Sequence, residues 1–224
     1  LDNINKLGEC GAVLSGYQGS PDQCKAVADV VRSVEERNHN AIYVCDPVMG
    51  DHFEGDRSGL YVPKSTAEAI REDLVPLADV VTPNCFELGW LTGRDVTTEL
   101  QALSAARALG NKRVLVTSSP AMRRNSIANL LVSPGGALTA EHAAVAHPPH
   151  GTGDLIAGIF LARLLQGLTD EEALVRAAGS TFEMVARSVK KGADELLFAE
   201  EQVAIDRPLA LVSSRRVMEV GGRV

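Results

Sequence analysis

Short apolar runs alternate with amphipathic helical stretches along most of this chain, and that alternation restricts the fold more than any other feature. The runs are Ala12-Val13-Leu14-Ser15-Gly16, Ala41-Ile42-Tyr43-Val44-Cys45, Asp79-Val80-Val81-Thr82, Arg113-Val114-Leu115-Val116-Thr117 and Ala128-Asn129-Leu130-Leu131-Val132. Between and after them, helical spacing covers the stretch from Ser20, residues 64–75, a segment from about Glu87, and residues 98–109, 154–166 and 170–190. Strands that are apolar throughout rather than at alternate positions are buried on both faces, so the pattern predicts a mostly parallel sheet between two helical layers, an α/β/α fold. The first helix carries its own start signal: Ser20 as N-cap, Pro21 at the first helical position and Gln23 to complete a capping box. At 224 residues the chain suits one large domain or a tight pair and can bury a sizeable core.

Parallel sheets of this kind bind ligands at the carboxyl ends of their strands. Those ends read Ser15-Gly16-Tyr17, Asp46-Pro47-Val48-Met49-Gly50-Asp51, Thr82-Pro83-Asn84-Cys85-Phe86-Glu87 and Thr117-Ser118-Ser119. Each alone fits a polar turn, and Asn84 with Glu87 also fits a helix cap. Together they place carboxylates, hydroxyls and an amide along one edge, which is what a site for Mg²⁺ and a nucleotide requires.

Gly151-Thr152-Gly153-Asp154 runs straight into the apolar helical stretch Leu155–Leu161. Glycines let the backbone approach a ligand closely, and the free N–H groups of a helix's first turn attract an anion, typically phosphate. Asp154 is the odd member, since a carboxylate repels phosphate. It fits if it removes a proton from a hydroxyl that then attacks the phosphorus, although Asp in a first helical turn is also a common cap. The Rossmann pattern is absent because Ile156 stands where its third glycine belongs, and no G-x-x-x-x-G-K-[ST] occurs in the chain.

Charge and composition narrow the partners. With 22 basic and 29 acidic residues the net charge is −7, and basic residues occur only in short groups such as Arg123-Arg124, which argues against a nucleic-acid surface. Mean hydropathy is +0.02 and no run reaches the roughly 18 apolar residues of a membrane span. Cys10, Cys24, Cys45 and Cys85 are scattered without a C-x-x-C pair, the expectation being reduced core thiols in a cytoplasmic protein.

DPVMGD (46–51), TPNCFE (82–87) and GTGD (151–154), in this order and with SGYQGS at 15–20, resemble the pyridoxal kinases of the ribokinase-like superfamily. The similarity runs from about Gly11 to Lys190. The resemblance implies a three-layer ribokinase-like fold and transfer of the γ-phosphate of ATP to the 5′-hydroxymethyl group of pyridoxal, pyridoxine or pyridoxamine. It implies Asp154 as general base, also in contact with the substrate, and an anion hole formed by the backbone of Gly151, Thr152 and Gly153. It places Asp51 at Mg²⁺, directly or through water, and Asp46, Thr82 and Glu87 near the phosphates and a monovalent cation (K⁺ or Na⁺). Asn84 joins Glu87 in the family's N-x-x-E element, Thr117 and Ser118 match residues beside the ATP phosphates, Val145 lies on the adenine side, and Tyr17 faces the pyridine ring. Dimers are usual in the resembled family, so a homodimer is expected.

Three points depart from the family pattern. The expected domain is residues 1–224, a ribokinase-like kinase domain without the family's N-terminal strand region, which supplies part of the vitamin pocket. The segment His52–Gly59 reads as a longer loop than expected, and His147-Pro148-Pro149-His150 is an unusual approach to GTGD. The alternatives are a hydroxymethylpyrimidine kinase or another ribokinase-like small-molecule kinase, and a nucleotide-binding protein without turnover.

Overall fold

The computed structural model describes residues 6–53 and 57–218. The chain forms two compact units, Leu1–Thr117 and Ser118–Val224.

In the first unit the elements follow in the order β1 (Ala12–Ser15), α1 (Pro21–Glu35), β2 (Ile42–Cys45), β3 (Gly50–Phe53), β4 (Arg57–Leu60), α2 (Lys64–Ala69), β5 (Val80–Val81), α3 (Cys85–Thr92), α4 (Glu99–Leu109) and β6 (Arg113–Ser119). Strands β1, β2, β5 and β6 pair in that order and all in parallel, with Ala12 opposite Ile42, Val44 opposite Val80 and Val80 opposite Arg113. Asp79 ties three of them at the start of β5. Its Oδ2 accepts from the Tyr43 N–H at 3.0 Å, its Oδ1 from Lys112 Nζ at 2.7 Å and its carbonyl from the Arg113 N–H at 3.0 Å.

Cys24, Ala28 and Val31 of α1 bury against Tyr43, Cys45 and Val81 of the sheet, with Ala67, Ile70 and Leu74 completing the cluster. Fully burying a side chain of Val, Leu or Ile size contributes roughly 1.5–3 kcal/mol, so this face holds the unit together.

The second unit contains β7 (Ser126–Ser133), β8 (Gly136–Ala143), α5 (Thr152–Leu165), α6 (Asp170–Lys190), α7 (Gln202–Asp206) and β9 (Ser213–Arg216). Its strands are antiparallel: Leu130 opposes Thr139 across β7 and β8, and Thr139 opposes Arg215 across β8 and β9. Helix α5 packs on α6, and α6 packs on β8 and β7. The buried Arg163 of α5 reaches the carbonyl oxygens of Ile205 and Asp206 at 2.5 and 3.2 Å, fixing the end of α7.

Several local expectations need correction. Gln23 does not complete a capping box: Ser20 Oγ accepts from the Gln23 N–H, but Gln23 Oε1 takes the Gly19 N–H at 2.7 Å, one residue earlier. The helical stretch 64–75 is α-helical only to Ala69, then a π turn over Ile70–Leu74 and a 3-10 turn over Val75–Leu77, where Pro76 cannot donate to an α-helical ladder. The segment read as a long loop after Asp51 is a hairpin of β3 and β4, with Asp51 opposite Gly59; Glu54, Gly55 and Asp56 of that segment lie outside the described residues. Val145 lies beyond the end of β8, half-buried in a coil.

Candidate active site

The carboxyl ends of the four parallel strands bear Ser15, Cys45 followed by Asp46, Val81 followed by Thr82, and Thr117. Asp46 and Thr82 are buried, at 6% and 2% exposure, and the Thr82 hydroxyl donates to Asp46 Oδ1 at 2.8 Å. Ser15 Oγ and the Tyr43 hydroxyl share a hydrogen bond of 2.8 Å one layer below. Thr117 is buried beside the next turn: its N–H donates to the Pro83 carbonyl at 2.9 Å and it forms a parallel bridge with Asn84. Ser118 follows it exposed and in the left-handed region, φ 50°, which an L-residue adopts at some strain.

The turn Pro83-Asn84 leads into α3 through a full capping box. Asn84 Oδ1 accepts from the Glu87 N–H at 2.8 Å, and Glu87 Oε2 accepts from the Asn84 N–H at 2.9 Å. Glu87 does more than cap, because its Oε1 also accepts from the Met49 N–H at 3.0 Å, 38 residues away. At 3% exposure burial pushes its carboxyl up to about 8, the nearby Asp46 charge adding to the rise while the backbone N–H groups oppose it. Asp51 is exposed on β3, and its Oδ1 accepts from the His52 N–H at 2.7 Å. Burial, with the Asp51 charge nearby, pushes the Cys85 thiol up to about 11.

Helix α5 begins differently from the other long helices. Ser20, Asn84, Thr98 and Thr169 cap α1, α3, α4 and α6 with a side-chain oxygen. At α5 the N-cap is Gly151, at φ 86° and ψ 11°, with no side-chain cap. The left-handed backbone there favours glycine. The N–H groups of Thr152, Gly153 and Asp154 open the helix, and a first turn without an internal partner is suited to receive an anion. Asp154 is the third residue of the helix and exposed. A Cβ added at Gly151 would lie 4.0 Å from Asp154 Oδ2, so the carboxylate folds back over the turn it follows.

Tyr17 is 62% exposed in the loop after β1, where a planar side chain can meet a planar ligand. The structure thus gathers Asp46, Thr82, Asn84, Glu87 and Thr117 at the strand ends of the first unit, and Gly151, Thr152, Gly153 and Asp154 at one helix terminus of the second. Sequence reasoning missed Gly50 and Phe86. A Cβ at Gly50 would stand 2.2 Å from Phe86 Cε1, a contact no local pattern announces because the two residues are 36 positions apart.

The donor set fits Mg²⁺. Asp46 and Asp51 offer carboxylate oxygen, and Mg²⁺ is typically held by one or two carboxylates with water and substrate phosphates supplying the rest. Among the described residues no group of three or more His, Cys, Asp or Glu forms a metal cage.

The Phosphomethylpyrimidine kinase family profile matches residues 9–197. The pyridoxal kinase PdxY of Corynebacterium diphtheriae is 36% identical over 202 residues, 88% of this chain and 70% of that enzyme. The pyridoxal kinase PdxY of Vibrio campbellii is 38% identical over 215 residues, 94% of this chain and 73% of that enzyme. Among solved structures, pyridoxal kinase from Leishmania donovani in complex with ADP and pyridoxamine superposes with a TM-score of 0.83 at 26% identity, covering 97% of this chain and 78% of the other. That likeness extends over nearly the whole chain, so the mostly parallel α/β architecture read from the strand–helix alternation is its fold.

Proposed function

This chain belongs to the phosphomethylpyrimidine kinase family and, within it, to the pyridoxal kinases, and from that membership we propose that it transfers the γ-phosphate of ATP to the 5′-hydroxymethyl group of pyridoxal, pyridoxine or pyridoxamine. The observation that carries the reading within the structure is the start of α5, a long helix without a side-chain cap and with a carboxylate at its third position.

Asp154 accepts the proton of the vitamer hydroxyl as that oxygen attacks the γ-phosphorus. The bond to the bridging oxygen breaks and ADP leaves. The backbone N–H groups of Gly151, Thr152 and Gly153 hold the charge that develops on the transferring phosphoryl, a preorganised stabilisation that water cannot match. An Asp is a weak base, with an ordinary pKa near roughly 3.9. It suffices here because positioning and charge neutralisation supply most of the acceleration in a loose phosphoryl-transfer transition state.

Asp51 and Asp46 would hold Mg²⁺, which would neutralise charge on the phosphates. Thr82, Asn84 and Glu87 support the phosphate side together with a monovalent cation, K⁺ or Na⁺. Thr117 and Ser118 lie beside the ATP phosphates, Val145 on the adenine side and Tyr17 against the pyridine ring. The family's habit supports a homodimer, and four free cysteines support a reducing compartment, the cytoplasm. No described helix is long and apolar enough to cross a membrane.

A coupled ADP-release assay with Mg-ATP tests the substrate assignment on pyridoxal, pyridoxine and hydroxymethylpyrimidine. The reading predicts turnover on the pyridoxal vitamers well above that on the pyrimidine. The reverse order would make the protein a hydroxymethylpyrimidine kinase, and ATP binding without turnover on any acceptor would make it a nucleotide-binding protein.

A further inference from the structure

The first turn of α3 grips two adjacent residues of the DPVMGD segment, Met49 and Gly50. Asn84 Nδ2 donates to the Gly50 carbonyl at 2.9 Å, and Glu87 Oε1 accepts the Met49 N–H at 3.0 Å. The Phe86 ring leaves no room for a side chain at Gly50, where a Cβ would lie 2.2 Å from Phe86 Cε1 and 2.5 Å from the Gly59 carbonyl oxygen. From the opposite side the Tyr61 N–H donates to the Met49 carbonyl at 3.0 Å, and the Met49 side chain is fully buried. The next residue along the chain is Asp51. Glu87 meanwhile directs one oxygen to Met49 and the other to the Asn84 N–H, at 3% exposure.

We propose that Glu87 is a positioning residue for Asp51, acting on Mg²⁺ through the two-residue backbone segment Met49-Gly50 that it holds together with Asn84 and Phe86, and not as a ligand of Mg²⁺. The proposal rests on the kinase reading for the role of Asp51. The grip itself is a property of the fold. Each oxygen of the Glu87 carboxyl accepts one backbone N–H, whereas an amide would turn its NH₂ toward one of them. Gly50 is required for the same reason: only a residue without Cβ fits between the Phe86 ring and the β4 backbone.

The test uses Glu87→Ala, Gly50→Ala and the double variant, with two readouts. The first is binding of Mn²⁺, as the probe, in the presence of ADP. The second is amide hydrogen exchange at Met49 and Gly50. Removing a residue that orients a carboxylate ligand typically weakens metal affinity by about 10–100-fold. Each single variant is expected to weaken Mn²⁺ binding within that range and to speed exchange at Met49. The double variant is expected to be no worse than the weaker single one, because both changes release the same two-residue segment.

Multiplying effects in the double variant would overturn the proposal, as would a Glu87→Ala protein that loses Mn²⁺ affinity while Met49 exchanges at the wild-type rate. Phe86→Leu removes the ring edge and leaves every carboxylate in place, and it carries the same expectation should Gly50→Ala fail to fold. If the protein transfers no phosphate at all, the exchange readout still reports the grip, so failure of the kinase reading and failure of this proposal are told apart.

Discussion

Thr82 donates its hydroxyl to Asp46 Oδ1 at 2.8 Å, joining the ends of two adjacent parallel strands with both side chains buried. A carboxylate held this deep keeps its charge only with donors around it. Thr82→Val preserves shape and deletes this one, at a cost of roughly 1–3 kcal/mol. The expected outcome is a lower urea midpoint and a raised KM for Mg-ATP, with the KM for the vitamer little changed. An unchanged KM for Mg-ATP would place Asp46 outside the nucleotide site.

The two glycines of GTGD differ in what they tolerate. Gly151 sits at φ 86°, where an L-residue costs roughly 1–2 kcal/mol, and a Cβ there would make only ordinary contacts, the nearest at 3.9 Å. At Gly153 a Cβ meets nothing within 4 Å and the helix is regular. Gly151→Ala is therefore expected to lower the melting temperature, whereas Gly153→Ala is expected to fold at least as stably, since alanine gains up to ~1 kcal/mol in a helix. Both are expected to lower kcat if, as proposed, the anion hole lies against the transferring phosphoryl. Full activity in Gly153→Ala would move the phosphoryl away from this turn.

His142 contributes to the pH dependence of the second unit. Its ring lies 5.0 Å from the Phe182 ring centroid, and desolvation holds its pKa below the ordinary 6.5, the Ala143 carbonyl opposing in part. A lowered value means that the unfolded chain takes the proton first. The stabilising contribution is present above pH 6.5 and is lost as the pH falls through the folded value. Urea unfolding in mild acid compared with neutral pH is expected to show a loss of stability that is smaller in His142→Gln. An identical loss in that variant would assign the acid sensitivity to other groups.

The sequence carried the periodic elements well and the pairings poorly. Residues 170–190 were legible as a helix because Thr169, acids in the first turn and basic residues in the last mark both ends, and the structure agrees to the residue. The strand at Ala128–Val132 was legible as buried, but an apolar run reads the same in parallel and antiparallel neighbours. Its hairpin with β8 turns on Pro134-Gly135, a signal present in the chain and outweighed by the surrounding strand–helix rhythm. The β3–β4 hairpin was hidden because its strands are polar and glycine-containing. At the site, the residue types at the strand ends were legible in the sequence, and the structure places Asp46, Thr82, Asn84, Glu87 and Thr117 there. The grip of Glu87 on Met49 and the fit of Phe86 over Gly50 depend on contacts between segments far apart in sequence, which no local pattern encodes.

The most direct measurement follows labelled γ-phosphate from ATP onto pyridoxal, with wild type and Asp154→Asn side by side and nucleotide binding measured on both. Labelled pyridoxal 5′-phosphate is expected from the wild type. Asp154→Asn is expected to transfer more slowly by about 10²–10⁴ with ATP bound almost as well, the loss that removal of a general base brings. Transfer by Asp154→Asn at the wild-type rate would contradict this role, because the start of α5 would then hold phosphate without performing the proton transfer on which the mechanism rests.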